Sequence, residues 1–108
     1  MPASQPYTEA APTRAGIDRS TTLMLLDFGT DWCVHCQAAQ PLVDAALHAN
    51  QQVVHVKVED GKGRPLGRAY GVTLWPTLVF LRAGIEVARL VRPTDAMLIK
   101  QALAQLSS

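Results

Sequence analysis

The sequence predicts an α/β domain in which one central mixed sheet carries helices on both faces. Three observations predict it. Unbroken apolar or β-branched segments alternate with segments of helical period, in the order βαβ, short helix, β-hairpin, final helix. The 108 residues are 48% hydrophobic and 18% charged, enough for one buried core and too short for two domains. Finally, two cysteines three residues apart fall where the first strand gives way to a long helix. A chain of this size buries roughly 60–70% of its unfolded surface, so it folds without a disulfide or metal staple.

Each element follows from local chemistry. Residues 1–20 hold three of the seven prolines, at 2, 6 and 12, and predict a flexible N-terminal segment with a short helical or extended piece around Tyr7 to Ile17. The folded domain is then expected over 21–108. Leu23 to Phe28 is a short apolar run that suits a strand buried on both faces, broken by Gly29-Thr30-Asp31. From Cys33 to Ala49 the positions Val34, Ala38, Leu42, Val43, Ala46 and Leu47 follow helical spacing, with Pro41 expected to kink the helix. Val53 to Val58 is β-branched and reads as a second strand. A polar loop, Glu59 to Arg64, leads into a short helix, Pro65 to Tyr70, with proline in its first turn and Gly71 beyond its end. Thr77 to Arg82 and Glu86 to Val91 are strands joined by Ala83-Gly84-Ile85, a hairpin link. Thr94 caps a last helix, with Met97, Leu98, Ala102, Leu103 and Leu106 as its buried stripe.

Several function classes drop out at this level. The net charge is +1, so no global field attracts nucleic acid or an acidic membrane. The longest apolar run is four residues, far short of a membrane span. The N-terminal stretch has no basic head followed by an apolar core, which predicts a cytoplasmic protein, or a periplasmic one if a signal has been removed upstream. Two cysteines are too few for a disulfide scaffold, and a bridge across three residues closes almost no loop. Their purpose is local chemistry.

That chemistry follows from position. Cysteines at i and i+3 on a first helical turn bring their sulfurs within disulfide reach. Cys33 lies at the helix N-terminus, where unpaired N–H groups and the dipole favour a thiolate. Cys36 lies one turn deeper and is shielded. One attacking and one resolving sulfur is what thiol–disulfide exchange needs. Zinc is the alternative use, with His35, His48 or His55 as further ligands, but His35 sits between the cysteines and His48 lies far along the helix. An iron–sulfur cluster wants four cysteines.

The segment Leu26-Asp27-Phe28-Gly29-Thr30-Asp31-Trp32-Cys33-Val34-His35-Cys36 resembles the active-site segment of the thioredoxin family. Pro41 fits the same pattern, and Tyr70-Gly71-Val72-Thr73-Leu74-Trp75-Pro76-Thr77 is similar to the family's loop with a cis-proline. The similarity runs from about Leu23 to Leu106. It implies a thioredoxin-like fold, with Cys33 as nucleophile and Cys36 as resolving thiol. It also puts Asp27 on the position of the buried acid that accepts the Cys36 proton, directly or through a water. A lone Asp in an apolar strand is costly unless it has such a task. Pro76 matches the cis-proline facing the dithiol, Trp75 offers backbone groups to an extended substrate, and Trp32 covers one side of the site.

Four departures from the family pattern bear on function. Val34-His35 replaces Gly-Pro between the cysteines, and His35 is expected to stabilise the Cys33 thiolate and make the disulfide more oxidising. Gly29 stands where many members keep an aromatic residue, which predicts a more open site on that side. Arg92 takes the position of a glycine lining the substrate groove. His55 replaces a lysine common near the buried acid.

These features predict a monomeric thiol–disulfide oxidoreductase, more a reductase than an oxidase, acting on protein or small disulfides. The resemblance implies no bound cofactor or metal and a partner that recycles the dithiol. Two other functions fit the same residues: a peptide-binding module with idle cysteines, or an oxidase or isomerase of the same superfamily, which His35 favours.

Overall fold

The computed structural model describes residues 6–8 and 11–107. Its elements are α1 (Arg14–Asp18), β1 (Leu23–Gly29), α2 (Val34–His48), β2 (Val54–Glu59), α3 (Pro65–Ala69), β3 (Thr77–Arg82), β4 (Ile85–Val91) and α4 (Ala96–Leu106). They form a four-stranded mixed sheet of order β2-β1-β3-β4. β1 and β2 run parallel, with Asp27 opposite Lys57, and α2 supplies the crossover that a parallel pair needs. β1–β3 and β3–β4 are antiparallel.

Alternation along β1 divides the interior in two. Leu25 faces α2 and α4, in a core with Val43, Ala46, Leu78, Phe80, Ile99 and Leu103. Leu26 and Phe28 face the other way, onto Ile17 from α1, Leu66 from α3 and Tyr70 just after it. Period two therefore sends Asp27, between Leu26 and Phe28, to the side on which α2 packs. Each fully buried Leu, Ile or Phe side chain contributes about 1.5–3 kcal/mol through transfer from water.

The structure corrects the sequence expectations at several points. The flexible segment expected over 1–20 is, in its described residues 6–8 and 11–20, packed on the domain; the rest of it (1–5, 9 and 10) lies outside the described residues. Tyr7 and Ile17 are buried, Thr13 caps α1 through the Gly16 N–H, and Thr8 bridges to Val58 at the sheet edge. Two apolar anchors and a strand edge with free hydrogen-bonding groups outweigh the local proline content. The hairpin link is the pair Ala83-Gly84, both at positive φ, because two-residue turns of that hand match strand twist.

Asp95, not Thr94, caps α4, its side chain accepting the Met97 N–H at 2.9 Å. The buried stripe is Ile99, Ala102, Leu103 and Leu106, while Met97 and Leu98 are exposed on the first turn. α2 buries Cys36, Ala39, Val43 and Ala46 and leaves Val34 outside. It runs through Pro41 as one helix, giving up the hydrogen bond to the exposed Gln37 turn.

Candidate active site

The site is built where the C-terminal end of β1 meets the first turn of α2. Cys33 is the N-cap residue of α2 in extended backbone, and its Sγ accepts the Cys36 N–H at 3.2 Å. A sulfur at that position satisfies an N–H the helix cannot pair internally, and the dipole favours its negative charge. The contrast in exposure expected between the two cysteines is small: Cys33 is 7% and Cys36 2% accessible. What separates them is environment. The Cys36 thiol is pushed up to about 12, first by burial and then by its hydrogen bond with the Cys33 sulfur. Cys36 therefore holds its proton at neutral pH.

Asp27 is buried behind the dithiol and is fully engaged. The Tyr7 hydroxyl donates to its Oδ1 at 2.8 Å, and His55 Nε2 lies 2.9 Å from its Oδ2. The sequence placed Asp27 next to Cys36 directly or through a water; the structure puts the Tyr7 phenol there. That phenol donates to Asp27 and packs against Cys36. Burial and the neighbouring carboxylate hold its ionisation well above the ordinary tyrosine range. Lys57 Nζ sits 4.3 Å from the Tyr7 ring centroid and donates to Gln40 Oε1 at 2.6 Å.

The opening expected beside Gly29 is closed by the same side chain. A Cβ at position 29 would stand 2.5 Å from Cys36 Sγ and 2.9 Å from Tyr7 Oη. An aromatic residue there and Tyr7 are mutually exclusive. Tyr7 is the residue of the site that local sequence does not reveal. The available signal was the pairing of a missing aromatic at 29 with a lone aromatic in the N-terminal segment.

Opposite the dithiol, the Trp75–Pro76 peptide is cis and Pro76 is buried. Trp75 packs against Cys33 and Cys36 and donates its indole N–H to Asp60 Oδ2 at 2.8 Å. Trp32 is 73% exposed and meets Trp75 edge to face, with centroids 5.7 Å apart. Arg92, at φ 51, donates from Nε to the Trp75 carbonyl at 2.8 Å. The backbone acceptor expected to be open to a substrate strand is thus covered by a guanidinium.

His35 is exposed and has no hydrogen bond to either sulfur; it lines a cavity of about 230 Å³ with Ala38, Leu42 and Arg92. The expected contact between its imidazole and Cys33 is not made, because the first turn of α2 points it outward. Among the described residues, no three His, Cys, Asp or Glu side chains gather as a metal ion would need. No helix among them is long and apolar enough to cross a membrane.

Comparison with known proteins gives the following. Residues 7–105 match the family model described as Thioredoxin. The chain is 31% identical over 74 residues to a thioredoxin of Echinococcus granulosus, covering 68% of this chain and 69% of that protein. It is 35% identical over 98 residues to protein disulfide-isomerase A2 of Homo sapiens, of which it spans only 19%. The structure of thioredoxin 2 from Pseudomonas aeruginosa PAO1 in its reduced form superposes with a TM-score of 0.85 at 52% identity, over 94% of each chain.

Proposed function

The chain belongs to the thioredoxin family of thiol–disulfide oxidoreductases, and from that premise we propose that it works as a disulfide reductase, with Cys33 attacking and Cys36 resolving. The observation that carries this assignment is the contrast between the two sulfurs. Cys33 caps the N-terminus of α2, its Sγ accepting the Cys36 N–H, while Cys36 is buried with its thiol pushed up to about 12.

The reaction then runs in two exchanges. The Cys33 thiolate attacks one sulfur of the substrate disulfide; a Cys33–substrate S–S bond forms, the substrate bond breaks, and the leaving thiolate takes a proton from water. Cys36 next gives up its proton toward Asp27 and attacks Cys33 Sγ. The Cys33–Cys36 bond forms and the second substrate thiolate departs. The second thiolate also takes a proton from water, so the substrate has gained two electrons and two protons, while the protein has lost two electrons and the Cys36 proton, now on Asp27. A recycling reductase returns both. The sulfurs themselves carry the electrons, so the step draws on no cofactor.

The substrate meets Trp32, Trp75, Pro76 and Arg92. The exposed Trp32 face, backed by Trp75, supports apolar contact with a polypeptide carrying the disulfide. Arg92 must release the Trp75 carbonyl before an extended segment can pair there, so it tunes which protein substrates enter. His35 acts only through space and modulates the potential weakly. The reductase reading goes with a reducing compartment, the cytoplasm, and with a monomeric protein. An idle peptide-binding module is not favoured, since it gives no account of the capped Cys33.

Insulin reduction by a dithiol donor tests the assignment. The parent chain is expected to be active, Cys33→Ser inactive, and Cys36→Ser to accumulate a mixed disulfide at Cys33. Brief iodoacetamide labelling of the reduced protein should modify Cys33; predominant labelling of Cys36 would reverse the roles.

A further inference from the structure

We propose that the Tyr7 hydroxyl is the group that takes the proton from Cys36 and passes its own to Asp27 during resolution, and that Gly29 supplies the space it needs. The proposal rests on the reading of Cys36 as the resolving thiol. Its geometry is a short chain of groups: the Cys36 thiol, the Tyr7 hydroxyl packed with it beside Gly29, Asp27 Oδ1 at 2.8 Å from that hydroxyl, and His55 on the other carboxylate oxygen at 2.9 Å. Tyr7 is held there by three further contacts. Its N–H donates to Asp31 Oδ1 at 3.0 Å, Lys57 covers its ring, and the next residue, Thr8, pairs with the β2 edge.

The proton count closes. As Cys36 attacks, its S–H bond breaks and an O–H bond forms on Tyr7; the original Tyr7 O–H breaks and one forms on Asp27 Oδ1. Tyr7 stays neutral throughout, as its raised ionisation requires. In the product arrangement the new Tyr7 O–H points at the Cys36 sulfur and stabilises the thiolate while it attacks. Cys33 has no need of this route, because its sulfur is already stabilised by the helix N-terminus. The hydroxyl should therefore matter to resolution and not to attack.

The charged and titratable groups facing Tyr7 are Asp27 on β1, Asp31 in the following loop, His55 and Lys57 on β2, and Cys33 and Cys36 at the start of α2. Of these only Asp27 accepts the hydroxyl hydrogen, which fixes the direction of transfer.

Stopped-flow reaction of the reduced protein with excess 5,5′-dithiobis(2-nitrobenzoate) separates the two exchanges. The first thionitrobenzoate released reports attack, and the second reports resolution by Cys36. In Tyr7→Phe, attack is expected to stay within about two-fold of the parent, while resolution slows about ten-fold or more at neutral pH, short of the roughly 10²–10⁴-fold of a whole general base because Asp27 remains. The deficit should shrink at alkaline pH, where hydroxide takes the proton instead. Asp27→Asn should reproduce the slowing, and the double variant should be no slower than either single one. Parental resolution rates in Tyr7→Phe at every pH would overturn the proposal. So would equal slowing of attack and resolution, which would make Tyr7 a packing residue only. A parent protein that releases no second thionitrobenzoate would overturn the dithiol reading itself, and the relay with it.

Discussion

Substituting Gly29 by alanine turns the fit between β1, α2 and the N-terminal segment into a measurement. The glycine is not at positive φ, so its backbone accepts alanine and only space decides the outcome. The added Cβ would lie 2.5 Å from Cys36 Sγ, 2.9 Å from Tyr7 Oη and 3.0 Å from Tyr7 Cζ. Cys36 is fixed by α2, so Tyr7 must yield, and its 2.8 Å bond to Asp27 goes with it. A buried oxygen left short of a donor costs about 1–3 kcal/mol. Residual crowding adds about 1–3 kcal/mol, and the reduced entropy of the unfolded chain returns about 0.4–1 kcal/mol. The expected net loss is about 1–5 kcal/mol, which lowers Tm by roughly 4 °C or more in a domain of this size. Urea unfolding followed by the fluorescence of Trp32 and Trp75 gives the value, provided the slope with denaturant is unchanged. The same substitution in a Tyr7→Ala background should cost at least about 1 kcal/mol less, because the contacts with Tyr7 have gone and only the one with Cys36 remains. Equal cost in both backgrounds would refute the idea that Gly29 makes room for Tyr7.

Three further outcomes follow from the same geometry. The folded state holds the Cys36 proton more tightly than the unfolded chain, its thiol being pushed up to about 12 from an ordinary 9.0 by burial and the Cys33 sulfur. That stabilisation is intact below pH 9 and is lost as pH rises toward 12, so the reduced protein should weaken above pH 9 in urea titrations. Cys36→Ser should be flatter, and parallel curves would count against it. Arg92→Gly removes a side chain from φ 51 and frees the Trp75 carbonyl; one recovered acceptor, worth about 0.5–1.5 kcal/mol, should raise kcat/KM on a protein disulfide about two- to ten-fold. An unchanged or lower value would mean the guanidinium helps substrates bind. His35→Pro should make the potential more negative by less than about 30 mV in a glutathione titration, since the imidazole touches neither sulfur. A larger shift would place the ring closer to Cys33 in solution.

The order of elements and the place of the dithiol can be read from the chain without its fold. Both are local properties: an apolar run makes β1, helical spacing makes α2, and a cysteine before the first helical turn meets unpaired N–H groups whatever the rest of the chain does. The burial of Asp27 was equally legible, because a single carboxylate in an apolar strand has nowhere else to go. The tertiary structure alone decided what Asp27 touches. Tyr7 lies 20 residues before it and His55 lies 28 after it, brought together by the parallel register of β1 and β2 and by a segment paired to the β2 edge. Likewise, that Arg92 covers the Trp75 carbonyl, 17 residues away, depends on where β4 ends beside β3. The face that α4 buries was decided by its packing on the sheet and α2, which turns Ile99 inward and Met97 and Leu98 outward. Periodicity reports which residues share a face. It does not report which distant side chain fills the space a missing Cβ leaves, since that depends on packing density and register between elements that local sequence does not encode.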